Sequence, residues 1–220
     1  MVRLDDLLKR LPEEAFVACG PPGSLLALVR LVMNCGAIAG DSRREKWSAP
    51  SLMDAFCAAL RDFILLSQRL EITSLETIIF RKYPGFCPYC KMSPHEESRC
   101  KAALGVDVLG GGAPTGGYES HGLQPESLQE WQDMFQRIYP RRIADLHSNR
   151  SVLALCEELG ELAEAIIDDD RSAIEEELAD TFSYLMGLAN ELTALATAVA
   201  TSTFSLEDEF LLRYQRSNQG

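Results

Sequence analysis

Three observations on this 220-residue chain predict an all-α fold. Apolar residues recur three and four positions apart in the long segments, as in Leu155, Leu159, Leu162 and Ile166. That spacing places them on one side of a helix. No segment alternates apolar and polar residues as a half-buried strand does. Proline, glycine and capping-box signals punctuate the periodic segments where helices stop and start.

Taken in order, residues 2–11 read as a short amphipathic helix that ends near Pro12. Pro21-Pro22-Gly23 is a break, and residues 24–39 form an apolar helix. A polar loop covers Asp41 to Ser48. The next helix runs from Ser51 to about Leu70, with Ser51 and Asp54 in capping-box style. Ser74 to Tyr83 is helical, and Pro84-Gly85 stops it. The Gly-rich stretch Gly105 to Pro125 lacks a preceding strand and a Gly-Lys-Ser/Thr end, so it reads as a linker rather than a phosphate loop. Ser127 and Glu130 open a helix with Trp131, Phe135 and Ile138 on one face, closed at Pro140-Arg141-Arg142. His147 to Arg150 leads into a helix that reaches about Ile167. Asp168 to Arg171 is a polar turn, and Ser172 with Glu175 reads as a capping box for the next helix, to about Leu195 or beyond. Ser205 to Arg216 is the last helix, and the tail is expected to fray.

The helices around Asp168 carry two acidic pairs, Glu158/Glu161 and Glu177/Asp180. The i,i+3 spacing puts each pair on one helix face. A hairpin across the short turn brings the four carboxylates towards each other, at the edge of the apolar stripes. Carboxylates gathered beside a buried face require cations. Hard divalent ions prefer oxygen ligands, and Mg²⁺ combines carboxylates with substrate phosphates.

The wording LALCEELGELAEAI followed by EEELADTFSYLMGLA, with E-x-x-E and then E-x-x-D, resembles the MazG-like all-α nucleotide pyrophosphohydrolases over about residues 126–216. The resemblance implies cleavage of a nucleoside triphosphate between its α and β phosphates. It implies catalytic carboxylates Glu158, Glu161, Glu177 and Asp180 holding Mg²⁺ or Mn²⁺, with Glu161 or Glu158 activating water. Arg213 and Arg216 on the last helix, and Arg150 and Arg171 nearer the acids, are candidate phosphate partners. Trp131, Phe135 and Tyr184 are candidates either to stack the base or to pack the core. The alternative is a non-catalytic regulatory protein that binds metal or nucleotide.

Cys87-Pro88-Tyr89-Cys90, His95 and Cys100 are spaced C-x2-C-x4-H-x4-C. Three thiolates and an imidazole suit tetrahedral Zn²⁺. The spacing resembles a zinc knuckle without its internal glycine, and the CPYC portion alone resembles a glutaredoxin pair. The redox reading needs a strand before it and a helix after it; a helix precedes and Pro94 interrupts. Few aromatic or basic neighbours flank the segment, so a structural clip is expected rather than a nucleic-acid reader.

The first half echoes the second. SLETIIFRKY at 74–83 parallels SLEDEFLLRY at 205–214, Leu26-Ala27-Leu28 parallels Leu153-Ala154-Leu155, and Asp54-Ala55-Phe56 parallels Asp180-Thr181-Phe182. In that register Leu31, Asn34 and Ser51 stand where the second half has Glu158, Glu161 and Glu177. Either an internal duplication has lost one metal site, or two all-α segments are alike by chance. The expected organisation is a helical half at 1–84, a zinc-binding segment at 85–104, a linker at 105–125 and a catalytic helical domain at 126–216. The oligomer is then a homodimer or an intramolecular pseudo-dimer.

Composition narrows the class. With 46% hydrophobic and 25% charged residues the chain is of ordinary soluble type. A net charge of −12 disfavours a surface that coats nucleic acid. Seven cysteines, an odd number without a secretory signal, point to free or metal-bound thiols in a reducing, cytoplasmic setting. The apolar run Ser24 to Gly40 contains Arg30 and Asn34 and is slightly short for a membrane span, so a buried core helix is expected.

Overall fold

The computed structural model describes residues 2–10, 21–43, 49–100, 123–141, 150–199 and 205–217. The Gly-rich linker expected at 105–125 falls largely outside them, as do His147 to Asn149, most of the Asp41–Ser48 loop and the last three residues. Among the described residues there are helices and no strands. The helices are α1 Leu4–Arg10, α2 Pro21–Arg43, α3 Ala49–Arg69, α4 Leu75–Lys82, α5 Leu128–Ile138, α6 Arg150–Ile167, α7 Arg171–Val199 and α8 Leu206–Ser217.

Two helix pairs, α2 with α3 and α6 with α7, form the framework and pack on each other through α2–α6 and α3–α7. The shorter helices cross over: α4 lies on α7, and α8 lies on α3. The core is continuous through this arrangement. At its centre Phe182 of α7 meets Phe63 of α3 and Trp131 and Phe135 of α5, with ring centroids 5.8, 6.0 and 5.9 Å apart. Trp131 is fully buried there, edge-on to Phe80, so it is a core residue and not a base platform.

Expectations about helix starts are corrected at α2 and at two further helices. The α2 helix begins at Pro21, so Pro21-Pro22-Gly23 opens the helix instead of breaking the chain. The α3 helix begins at Ala49, so Ser51 lies inside its first turn and is not its cap. The α7 helix begins at Arg171, capped by Asp170, whose Oδ1 accepts from the N–H groups of Ser172 and Ala173 at 3.0 and 3.1 Å. Glu175 is drawn instead into ion pairs with Arg81 and Arg171. Asp169 takes a left-handed φ of 54°, a conformation aspartate tolerates, and the Asp170 N–H closes the end of α6 on the Ala165 carbonyl at 3.1 Å. Asp170→Ala should therefore cost about 1 kcal/mol. Thermal unfolding should show a Tm lower by ~2–4 °C, with a smaller loss for Ser172→Ala. A larger loss for Ser172→Ala would restore the capping box.

The α2 helix corrects a further expectation. By length and composition its Gly23–Gly40 window is apolar enough to cross a membrane, and only 39% of that window is buried. One face packs on α3 and α6 through Leu28, Leu31, Cys35 and Ile38, while Leu26, Val29 and Met33 are exposed. It is a half-buried helix with an apolar outer face.

Candidate active site and cysteine–histidine centre

The α6 and α7 stripes bury Leu155, Leu159 and Leu162 against Leu178, Phe182 and Leu185. Helical geometry then leaves Glu158, Glu161 and Glu177 at the seam between the two helices. Each offers an oxygen within 4.8 Å of the others. Glu158 Oε2 and Glu177 Oε2 are buried without a hydrogen-bond partner. Burial, reinforced by Asp180 and the neighbouring glutamates, pushes the Glu158 and Glu177 carboxyls up to about 7. Orphaned buried oxygens and mutual repulsion are what a bound divalent cation removes, so this donor set fits Mg²⁺ or Mn²⁺.

Asp180 stands beside the trio but is held differently. Its Oδ2 takes the Lys82 ammonium at 2.6 Å, and its Oδ1 takes the Tyr83 hydroxyl at 2.6 Å. Lys82 also reaches Glu176 at 3.1 Å. Both partners come from the end of α4, in the first half of the chain. Sequence reasoning saw them only as part of a repeat. The signal was present in the basic-Tyr ending shared by 74–83 and 205–214, but no local pattern says which acid that ending will meet.

Glu158 and Asp180 line a cleft of about 710 Å³, together with Tyr83, Tyr139, Arg141 and Arg150 among others. That volume is in the range of a nucleotide-sized pocket. Arg150, at the start of α6, is among the lining residues. Arg141, read from sequence only as a helix terminator, packs across Gly187, and its Nε is buried without a partner. Tyr184 is in the wall, half-buried, and Phe135 lines it from within the core. Arg213 is placed elsewhere: its guanidinium pairs with Asp54 and Glu209. Arg171 donates to the Leu70 and Glu71 carbonyls and pairs with Glu175. The Arg216 side chain lies outside the described residues.

The cysteine–histidine segment lines the same cleft. The Cys87 N–H bonds the Met92 carbonyl and the Lys91 N–H bonds the Cys87 carbonyl, both at 3.0 Å, folding a tight turn. Gly85 supplies the positive φ of 94° that lets the chain leave α4. Cys87, Cys90, His95 and Cys100 converge, with Cys87 Sγ to Cys100 Sγ at 3.5 Å and His95 Nδ1 to the Cys100 and Cys90 sulfurs at 3.4 and 3.6 Å. Tetrahedral zinc with Zn–S and Zn–N bonds of ordinary length requires separations of about 3.5–3.8 Å. The quartet fits. Burial and the neighbouring thiols raise the Cys100 thiol to about 12, so thiolate here calls for a cation. The His95 backbone N–H donates to the Ile138 carbonyl at 2.7 Å, and the His95 ring packs on Tyr139 with centroids 5.3 Å apart. The segment is thereby joined to the end of α5 and to the cleft.

The carboxylates make a pH prediction for protein freed of Mg²⁺ and Mn²⁺. The folded Glu158 and Glu177 carboxyls sit near 7, above the unfolded value of 4.5. Between these values the folded state holds protons that the unfolded chain has released. Stability should fall as pH rises from 4.5 to 7, then level off. Discounted for solvent screening at these half-exposed groups, the loss is about 1 kcal/mol, or ~2–4 °C in Tm. Calorimetry at pH 5 and 7.5 checks this, and added Mg²⁺ should recover the loss at pH 7.5. A Tm that rises across the window would contradict it.

Neither the curated proteins nor the solved structures give a match to the chain. Residues 147–210, which span the acidic hairpin and reach into α8, match the family model described as the MazG nucleotide pyrophosphohydrolase domain.

Proposed function

We propose that the protein is a Mg²⁺-dependent nucleoside triphosphate pyrophosphohydrolase that releases a nucleoside monophosphate and pyrophosphate. One observation carries the reading: three carboxylates, two of them with an orphaned buried oxygen, meet beside a nucleotide-sized cleft that Glu158 lines. Glu158, Glu161 and Glu177 would hold the ion. When bound, Mg²⁺ supplies charge neutralisation on the phosphates and a lowered pKa for a bound water.

The chain's own groups do the rest. Water attacks the α-phosphorus, its O–H proton passes to a carboxylate of the trio, and the bond from α-phosphorus to the bridging oxygen breaks to free pyrophosphate. Lys82 and Tyr83 fix the Asp180 carboxylate from both sides. Arg141 and Arg150 offer guanidinium groups to phosphate oxygens along the cleft. Tyr139, Tyr89 and His95 give the cleft wall an aromatic character suited to a base.

The Cys87–Cys90–His95–Cys100 quartet holds structural Zn²⁺ and so shapes part of the cleft wall. Free described thiols and a thiolate centre fit a reducing, cytoplasmic compartment. Phosphorus NMR of products from a panel of ribo- and deoxyribonucleoside triphosphates tests the activity. Equal monophosphate and pyrophosphate are expected with Mg²⁺; diphosphate with orthophosphate, or no turnover by the folded zinc-loaded protein, would overturn it.

A further inference from the structure

The helix packing repeats. The contacts of α1 with α3 and α4 are matched by those of α5 with α7 and α8. The α4 helix crosses to α7 of the second half, and α8 crosses back to α3 of the first. The two long pairs meet like with like, α2 on α6 and α3 on α7.

Burial repeats with it at many positions in the register of the sequence echo, though Leu25 and Val32 are exposed where Val152 and Leu159 are buried. Ser24 and Ser151, Leu28 and Leu155, and Cys35 and Leu162 are buried pairs. Leu26 and Leu153 are both exposed although apolar. On the next helices Leu52 and Leu178, Phe56 and Phe182, and Leu60 and Met186 are buried pairs. The last helices bury Leu75 and Leu206, the unusual Glu76 and Glu207, and Ile79 and Phe210. Their caps coincide: Ser74 Oγ accepts the Thr77 N–H at 3.1 Å, and Ser205 Oγ accepts the Asp208 N–H at 3.3 Å. Buried acids at one helical position, and cross-over packing in both directions, are not general properties of all-α chains.

The repeat extends to the site. Lys82 of α4 pairs with Asp180 of α7, and Arg213 of α8 pairs with Asp54 of α3. Where the second half presents Glu158, Glu161 and Glu177, the first presents Leu31, Asn34 and Ser51. Leu31 is fully buried, and Asn34 is turned to Asp62 at 2.9 Å.

We propose that residues 2–82 and 123–213 are two copies of one helical unit related by an internal two-fold axis. Each copy's last helix completes the other copy's hairpin. One of the two sites is disarmed, leaving a single composite site per chain. The role of Lys82 and Tyr83 as positioning residues of that site rests on the pyrophosphohydrolase reading; the duplication does not.

Re-arming tests the duplication without using catalysis. In the full chain, Leu31→Glu, Asn34→Glu and Ser51→Glu are combined beside native Asp54, and bound Mn²⁺ is counted by electron paramagnetic resonance. The count should double relative to the native protein. If circular dichroism shows that the triple variant does not fold, Asn34→Glu with Ser51→Glu, both at half-buried positions, is expected to gain weaker added Mn²⁺ binding. A folded variant with an unchanged count overturns the proposal. Mixing chains tests the composite site. Lys82→Ala and Glu158→Gln should each lose turnover, with Lys82→Arg restoring part of it, and an equimolar mixture of the two inactive chains should stay inactive. Recovered pyrophosphate release in the mixture would show that the site is built between chains and overturn the single-chain assignment. A doubled Mn²⁺ count in a protein without turnover would sink the enzymatic reading and leave the duplication standing.

Discussion

Glu158→Gln lowers turnover by about 10³-fold while far-UV circular dichroism and the zinc content stay native. This is the expected result because Glu158 brings both a ligand oxygen and a negative charge to the seam of α6 and α7, and glutamine keeps the shape but not the charge. Removing one preorganised electrostatic contact commonly costs 10²–10³-fold, and here the contact would also hold the ion. The neutral side chain also relieves the repulsion that burial and Asp180 impose. The variant should therefore be no less stable than the native protein when Mg²⁺ is absent. Steady-state pyrophosphate release and calorimetry on the same sample read both effects. Native turnover in the folded variant would remove Glu158 from the site.

The second large effect belongs to the cysteine–histidine centre. Cys100→Ser should release zinc, measured by atomic absorption, and lower the Tm by on the order of 10 °C, because structural zinc contributes several kcal/mol of folding free energy. Serine cannot supply a thiolate ligand to a metal at this position. Loss of the turn also frees the His95 N–H from Ile138 and the ring from Tyr139. The cleft wall opens, so KM should rise more than kcat falls, since the quartet does not touch the carboxylates. Full zinc content and an unchanged Tm would show that the quartet is not the metal centre.

The helical class, the acidic hairpin and the cysteine–histidine spacing were legible because each is local. A 3.6-residue period, an i,i+3 pair and a C-x2-C turn are all set within a few residues. The Asp170 cap was missed because Ser172 and Glu175 also satisfy a capping box, and Glu175 instead found cations on α4 and at Arg171. The partners of Asp180 were illegible for a different reason. Lys82 and Tyr83 lie nearly a hundred residues away in sequence, and only the crossing of α4 onto α7 brings them there. The reciprocal crossing of α8 onto α3 takes Arg213, the cation on the last helix, to Asp54. Arg141 looked like punctuation because a basic residue after a helix usually caps or solvates it. Its place in the cleft, beside Gly187 of α7, is set by tertiary packing and not by any local pattern.

The direct measurement is the affinity of a triphosphate whose α,β bridge is methylene, titrated calorimetrically into zinc-loaded protein with and without Mg²⁺. Tight binding with Mg²⁺, lost when the ion is omitted and lost again in Glu158→Gln, is the predicted result. Equal affinity with and without Mg²⁺ would show that these carboxylates do not meet the phosphates through a metal, and would contradict the account.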